Sequence, residues 1–96
     1  MSENPTVDGN DDRAQGLEFP CRYPIKAMGR TGEGLSEAVV GIIADHVTVD
    51  ESDVRSRPSS AGRFESITVT VDVQTREQLE AIYADLGRHE QVLWTL

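Results

Sequence analysis

The sequence has little of several things that would narrow its chemistry. There is one cysteine, Cys21, in 96 residues. A lone thiol forms no internal disulfide and falls short of a thiolate zinc site. No apolar run approaches the ~18 residues of a membrane-spanning helix. Met1 to Asn10 also lacks the basic-then-apolar layout of a secretory signal. These absences lead to the expectation of a soluble cytoplasmic domain with no membrane association. Basic charge is scarce as well: 9 Lys+Arg stand against 17 Asp+Glu, a net charge of −8, and Lys26 is the single lysine. A phosphate-backbone binder normally carries the opposite balance. Aromatic residues make up only 5% of the chain, which leaves few rings on which bases could stack. The length supplies one domain and no room for a second catalytic or cofactor unit.

What is present is unevenly distributed. Residues 1–18 hold Glu3, Asp8, Asp11, Asp12 and Glu18 against Arg13 alone, a local net of −4 and half of the total. With Pro5, Gly9, Asn10 and Gly16 among them, these residues cannot bury enough surface to offset their ordering entropy. The expectation is a disordered acidic tail over 1–18, followed by a single domain over 19–96. A domain of that size buries only about 60% of its unfolded surface. Association with a partner, or with a second copy as a homodimer, is therefore expected.

Apolar spacing gives the elements. Leu35, Ala38, Val39, Ile42, Ile43 and His46 form one helical stripe, and Leu79, Ile82, Tyr83 and Leu86 form another. Thr75 with Gln78 predicts a capping box at the start of the second helix, and Gly87 is placed to close its end. Strict alternation over Ser66 to Val73 predicts a strand with Ile67, Val69, Val71 and Val73 on one face. A first strand is read around Tyr23 to Met28, with Pro24 marking an unpaired start or edge. A weaker strand covers Asp53 to Pro58, with Val54 inward and Arg55 and Arg57 outward. A last strand holds Val92, Trp94 and Leu96 on the buried side.

The order strand, helix, strand, strand, helix, strand is most simply met by an α+β, ferredoxin-like βαββαβ fold. It would have a four-stranded antiparallel sheet with both helices on one face. The other face would stay open. Its expected residues are Arg22, Lys26, Arg55, Arg57, Thr68, Thr70, Leu93 and Thr95, a polar and locally cationic set.

Several segments in this order resemble a known family: LEFP at Leu17 to Pro20, IKAMG at Ile25 to Gly29 and PSSAGRFES at Pro58 to Ser66. IYADLG at Ile82 to Gly87 and VLWTL at Val92 to Leu96 complete the set. Together they resemble the YbeD-like family of small uncharacterised bacterial proteins across residues 17–96. The resemblance implies a ferredoxin-like domain similar to the small-molecule-sensing (ACT) regulatory domains. It implies no established activity, and it implies a loose link to lipoate metabolism, because members tend to be encoded near lipoate-attachment enzymes. It carries the family's positions onto Lys26, Met28, Gly29, Ser59, Ser60 and Gly62. Gly34 departs from the pattern where a better helix former is expected, which leaves the start of the first helix open by a turn.

No catalytic constellation is visible. Cys21 lacks a nearby base, and His46 and His89 have neither an i, i+4 partner nor a cysteine beside them. Asp50, Glu51 and Asp53 lack calcium-loop spacing and read as a solvated turn. No metal, cofactor or catalytic residue is therefore expected. The hairpin Ser59-Ser60-Ala61-Gly62-Arg63 offers hydroxyls, an arginine and successive N–H groups that could cradle an anion, or simply satisfy a turn. The candidate binding set is Lys26, Arg55, Arg57, Ser59, Ser60, Gly62 and Arg63. The leading expectation is a non-enzymatic regulatory or adaptor domain that contacts another protein through the open face and this hairpin. The alternative is an ACT-like sensor of an amino acid or small acid. RNA binding ranks third, because Phe64 is the only aromatic that strand alternation sends to the open face.

Overall fold

A computed structural model describes residues 16–95; the acidic tail read over 1–18 falls almost wholly outside the described residues. The elements are β1 (Cys21–Arg30), α1 (Leu35–Ala44), a 3-10 turn (Glu51–Asp53), β2 (Val54–Pro58), β3 (Phe64–Val73), α2 (Arg76–Arg88) and β4 (Trp94–Thr95). The strands form one antiparallel sheet in the order β2-β3-β1-β4. This is the ferredoxin-like α+β arrangement expected from the sequence.

The spine of the sheet is the long β1–β3 pair, in unbroken register from Cys21 opposite Val73 to Arg30 opposite Phe64. Each strand carries the other beyond its own apolar stretch, which explains why both exceed the spans read from alternation. Ile25 and Ala27 from β1 and Ile67, Val69, Val71 and Val73 from β3 point to one side, where they are fully or almost fully buried. Leu35, Val39 and Ile43 of α1 and Leu79, Ile82, Tyr83 and Leu86 of α2 close over them. Leu17 and Phe19, ahead of β1, also pack against this core. Burying each large aliphatic side chain contributes about 1.5–3 kcal/mol, so this single layer is the main source of stability.

Both sheet edges are blunted by proline. The Met28 carbonyl accepts from the Leu93 N–H at 2.8 Å, so even-numbered residues of β1 turn their backbone groups toward β4. Pro24 shares that parity, and among the described residues β4 pairs only with Ala27 and Met28. The missing proline N–H therefore falls on an open edge, as its position suggested. On the far side, the Ser59 N–H donates to the Phe64 carbonyl at 2.8 Å, so Arg55 and Arg57 bond inward and Val54, Ser56 and Pro58 face outward.

The helix ends differ in part from expectation. α1 starts at Leu35 with no slip: Gly34 is its N-cap at φ 77°, a left-handed conformation that only glycine adopts without strain. α2 begins as read, with Thr75 Oγ1 accepting from the Gln78 N–H at 3.1 Å. The return bond goes one residue further back, where Gln78 Oε1 accepts from the Gln74 N–H at 2.8 Å. Gly87 does not end α2. The helix runs through it to Arg88 and stops at an extended His89, φ −86°.

Candidate partner-binding face

The side chains of β1, β2 and β3 that point away from the helices build an open face in rows. One row runs Arg55, Thr68, Lys26; the next runs Arg57, Ser66, Met28, Trp94. Neighbouring strands lie about 4.8 Å apart, and same-face residues along a strand about 6.7 Å. Lys26, Arg55 and Arg57 therefore stand about 7–12 Å from one another around the Ser66 and Thr68 hydroxyls. With Ser56 they line a depression of about 320 Å³.

None of these three cations has an ion pair among the described residues. Arg55 Nη1 donates to the Ser52 carbonyl at 3.2 Å, which orients its guanidinium without neutralising it. Arg22, at the other end of the face, is satisfied: it bonds Asp53 at 2.5 Å and Asp72 at 3.1 Å. The Asp53 hydrogen bond, then that from Asp72, holds the Arg22 guanidinium above its usual pKa. The unneutralised patch therefore begins beyond Arg22. Like charges at this spacing repel by roughly 0.5 kcal/mol per pair even in bulk water, a cost that an arriving anion removes.

The aromatic content of the face corrects the sequence reading. Alternation from Val92 placed Trp94 in the core and Leu93 and Thr95 on the open face. Instead Val92 is buried, Trp94 is 47% exposed and Leu93 39%. The Val92 N–H donates to the His89 carbonyl in a turn, and the strand begins only at Trp94. Alternation therefore cannot be counted through Val92. Trp94 lies opposite Met28 and Thr95 opposite Ala27, so Trp94 belongs to the open side. Its ring leans on Phe64, with centroids 5.9 Å apart at 55°. The open face thus carries two aromatic rings where one was expected.

The hairpin is less available than its composition suggests. The Gly62 N–H donates to the Ser59 carbonyl at 2.9 Å, and the Ser59 N–H is spent on Phe64. Ser59 Oγ accepts from the Phe64 N–H at 3.3 Å. These groups hold the turn itself. Gly62 and Arg63 border a separate depression with Arg30, Thr31, Glu33 and Phe64. Ser60 is exposed at the hairpin end. The structure therefore gathers Lys26, Arg55 and Arg57, and leaves Ser60, Gly62 and Arg63 outside that group.

One polar contact had no sequence signal. His46 lies past the end of α1, and its Nε2 meets Asp85 Oδ2 of α2 at 2.7 Å. The His46 carbonyl also accepts from Gln78 Nε2 at 3.2 Å, and Arg88 bonds the other Asp85 oxygen. The hydrogen bond from His46, with Arg88 adding to it, holds the Asp85 carboxyl below its ordinary range. This latch joins the helices on the side away from the open face. Glu51 and Asp53 lie in the 3-10 turn and Asp50 caps it, its Oδ1 accepting from the Ser52 N–H and hydroxyl. Among the described residues no three His, Cys, Asp or Glu side chains cluster to hold a metal ion. No helix among them is long and apolar enough to cross a membrane.

Comparisons with known proteins agree with the architecture and add no activity. Residues 14–96 match the family model described as a protein of unknown function (DUF493). A UPF0250 protein of Azotobacter vinelandii is 46% identical over 88 residues, covering 86% of this chain and 96% of that protein. A UPF0250 protein of Chromobacterium violaceum is 38% identical over 88 residues, covering 91% and 99%. The solution structure of HP0495 from H. pylori superposes with a TM-score of 0.65 at 14% identity, covering 100% of this chain and 98% of that one. At that identity the likeness concerns the fold.

Proposed function

The chain belongs to the DUF493 family of proteins of unknown function, as its YbeD-like segments imply, and from that premise we propose that it is a non-enzymatic adaptor or regulatory domain. In this reading it acts in the cytoplasm and binds an acidic segment of a partner protein on its open sheet face. The observation that carries the reading is the group Lys26, Arg55 and Arg57. Three unneutralised cations surround two hydroxyls on one face of a chain whose net charge is −8. A folded acidic protein that holds cations apart from its carboxylates presents a site for a ligand carboxylate rather than an internal ion pair. Met28, Phe64 and Trp94 border the group and supply apolar surface for the same ligand. Tyr and Trp are favoured at such interfaces because they bury area at low entropic cost.

The test is a titration of the isotopically labelled full chain with a hexaglutamate peptide, followed by backbone amide shifts. Shifts centred on Lys26, Arg55, Ser56, Arg57, Ser66 and Thr68, weakened at least tenfold in Arg55→Glu/Arg57→Glu, are expected. An unchanged affinity in the double variant, or shifts centred on the helices, would end the proposal.

A further inference from the structure

We infer that the acidic partner segment binds as an added strand on the outer edge of β2, in the local pattern acidic–apolar–acidic. This rests on the cationic-face reading and specifies how the ligand lies. Three features of β2 converge on it. The first is the edge: β2 is the outermost strand, and the Ser56 N–H and the Val54, Ser56 and Pro58 carbonyls face outward. An extended peptide opposite Ser56 exchanges two main-chain hydrogen bonds with it and reaches the flanking carbonyls with its own N–H groups.

The second feature is what stands on either side of that edge. Arg55 and Arg57 flank Ser56 and point to the open face. Peptide residues one before and one after the Ser56 partner fall opposite them, with Cβ atoms about 5 Å apart. Carboxylates at those two positions meet both guanidinium groups. The third feature is a groove of about 520 Å³ on the helix side, between α1 and β2, in which Val40, Gly41 and Val54 form the apolar lining. The residue opposite Ser56 sends its side chain there. Gly41 makes the room: a Cβ at this position would meet no atom within 4 Å. Glu37 and Glu51 also line the groove, so a carboxylate is disfavoured on that side and an apolar residue favoured.

A second copy of the chain is the wrong occupant. Two β2 strands paired about Ser56 would set Arg55 of each copy opposite Arg57 of the other, and like charges directly opposite destabilise a strand pair. An acidic strand converts the same geometry into two opposite-charge pairs.

The experiment uses the full chain and two fluorescein-labelled peptides in 150 mM salt: SEVEVES, and a rearranged SEEEVVS of identical composition. The alternating peptide is expected to bind at least tenfold more tightly. Ser56→Pro removes the outward N–H and no bond to β3, and Gly41→Leu sets a large side chain into the groove from a position where a Cβ meets no atom within 4 Å. Each is expected to weaken SEVEVES at least tenfold, while Gly41→Leu keeps or raises the melting temperature, since a helix-interior glycine is replaced by a better helix former. Should both variants bind as wild type while Arg55→Glu/Arg57→Glu does not, strand addition is wrong and the cationic-face reading stands. If the charge-reversed variant also binds as wild type, both fail. Tighter binding of a single-stranded oligouridine, unaffected by Ser56→Pro, would also overturn the inference.

Discussion

Replacing Gly29 by alanine tests how the C-terminal strand is held against the sheet. Gly29 is buried in β1, and a Cβ there would lie 2.3 Å from the Gln91 carbonyl oxygen and 2.9 and 3.2 Å from the two Leu35 methyl carbons. The first distance is more than 1 Å inside the roughly 3.5 Å contact distance of non-bonded heavy atoms. The offending atom is backbone and cannot rotate away. Leu35 is 1% exposed and packed within the core. Overpacking of this kind costs about 1–3 kcal/mol. Losing glycine's freedom in the unfolded chain returns about 0.4–1 kcal/mol.

The net expectation for Gly29→Ala is a loss of about 1–2 kcal/mol. For a domain of this size that lowers the melting temperature by about 4–16 °C. Circular dichroism through thermal and urea unfolding measures it. Fluorescence adds a local reading, because Trp94 is the single tryptophan and follows Gln91 by three residues. A shifted Gln91 moves Trp94 off Phe64 and changes its emission in the native state. Gly41→Ala is the control: it meets nothing within 4 Å and is expected to stabilise α1 by about 0.5–1 kcal/mol. Equal or higher stability for Gly29→Ala, with native emission unchanged, would refute the close-approach argument.

Two further outcomes follow from side chains at the helices. Thr75→Ala removes the acceptor of the Gln78 N–H and is expected to cost about 1 kcal/mol; an unchanged urea midpoint would show that water replaces the cap without loss. The Asp85 carboxyl has a folded pKa below its unfolded value, mainly through the His46 hydrogen bond. Its stabilisation is therefore complete above about pH 4 and is lost as pH falls through the lower folded value. Urea midpoints between pH 4.5 and 2.5 should fall more steeply for wild type than for Asp85→Asn, and parallel curves would remove Asp85 from the acid limb.

The fold was legible wherever local periodicity coincided with tertiary packing. Ile67 to Val73 alternate because one face of β3 is covered by helices and the other is not, and the Thr75–Gln78 cap is local by nature. Pro24 was informative for a similar reason: the lost N–H matters only if an edge is paired. The misreadings share a different cause. Trp94 was assigned from Val92 as though the strand began there, yet a turn bond between Val92 and His89 resets the count. Gly87 satisfies the composition of a helix stop, but nothing forces a left-handed residue there and α2 continues to Arg88. The bond from His46 to Asp85 spans 39 positions, beyond the reach of any spacing rule. Of the candidate binding set, Lys26, Arg55 and Arg57 were readable because strand parity alone puts them on one face. Whether the hairpin's N–H groups are free depends on bonds that composition does not encode.

That distinction changes what the net charge means. At physiological salt a charge acts over about 8 Å, so a ligand on the sheet responds to the side chains around it and hardly to the total of −8. Lys26, Arg30, Arg55 and Arg57 share the open side, whereas Glu37 lies on α1 and Glu77 and Glu80 lie on α2. The core stands between that face and Glu77 and Glu80, while Glu37 lies nearer, in the groove between α1 and β2. An acidic chain can therefore bind an acidic segment, provided that the segment approaches the sheet and not the helices. In the proposed binding mode, carboxylates such as Glu77 and Glu80 on α2 then disfavour docking of an acidic segment on that helix.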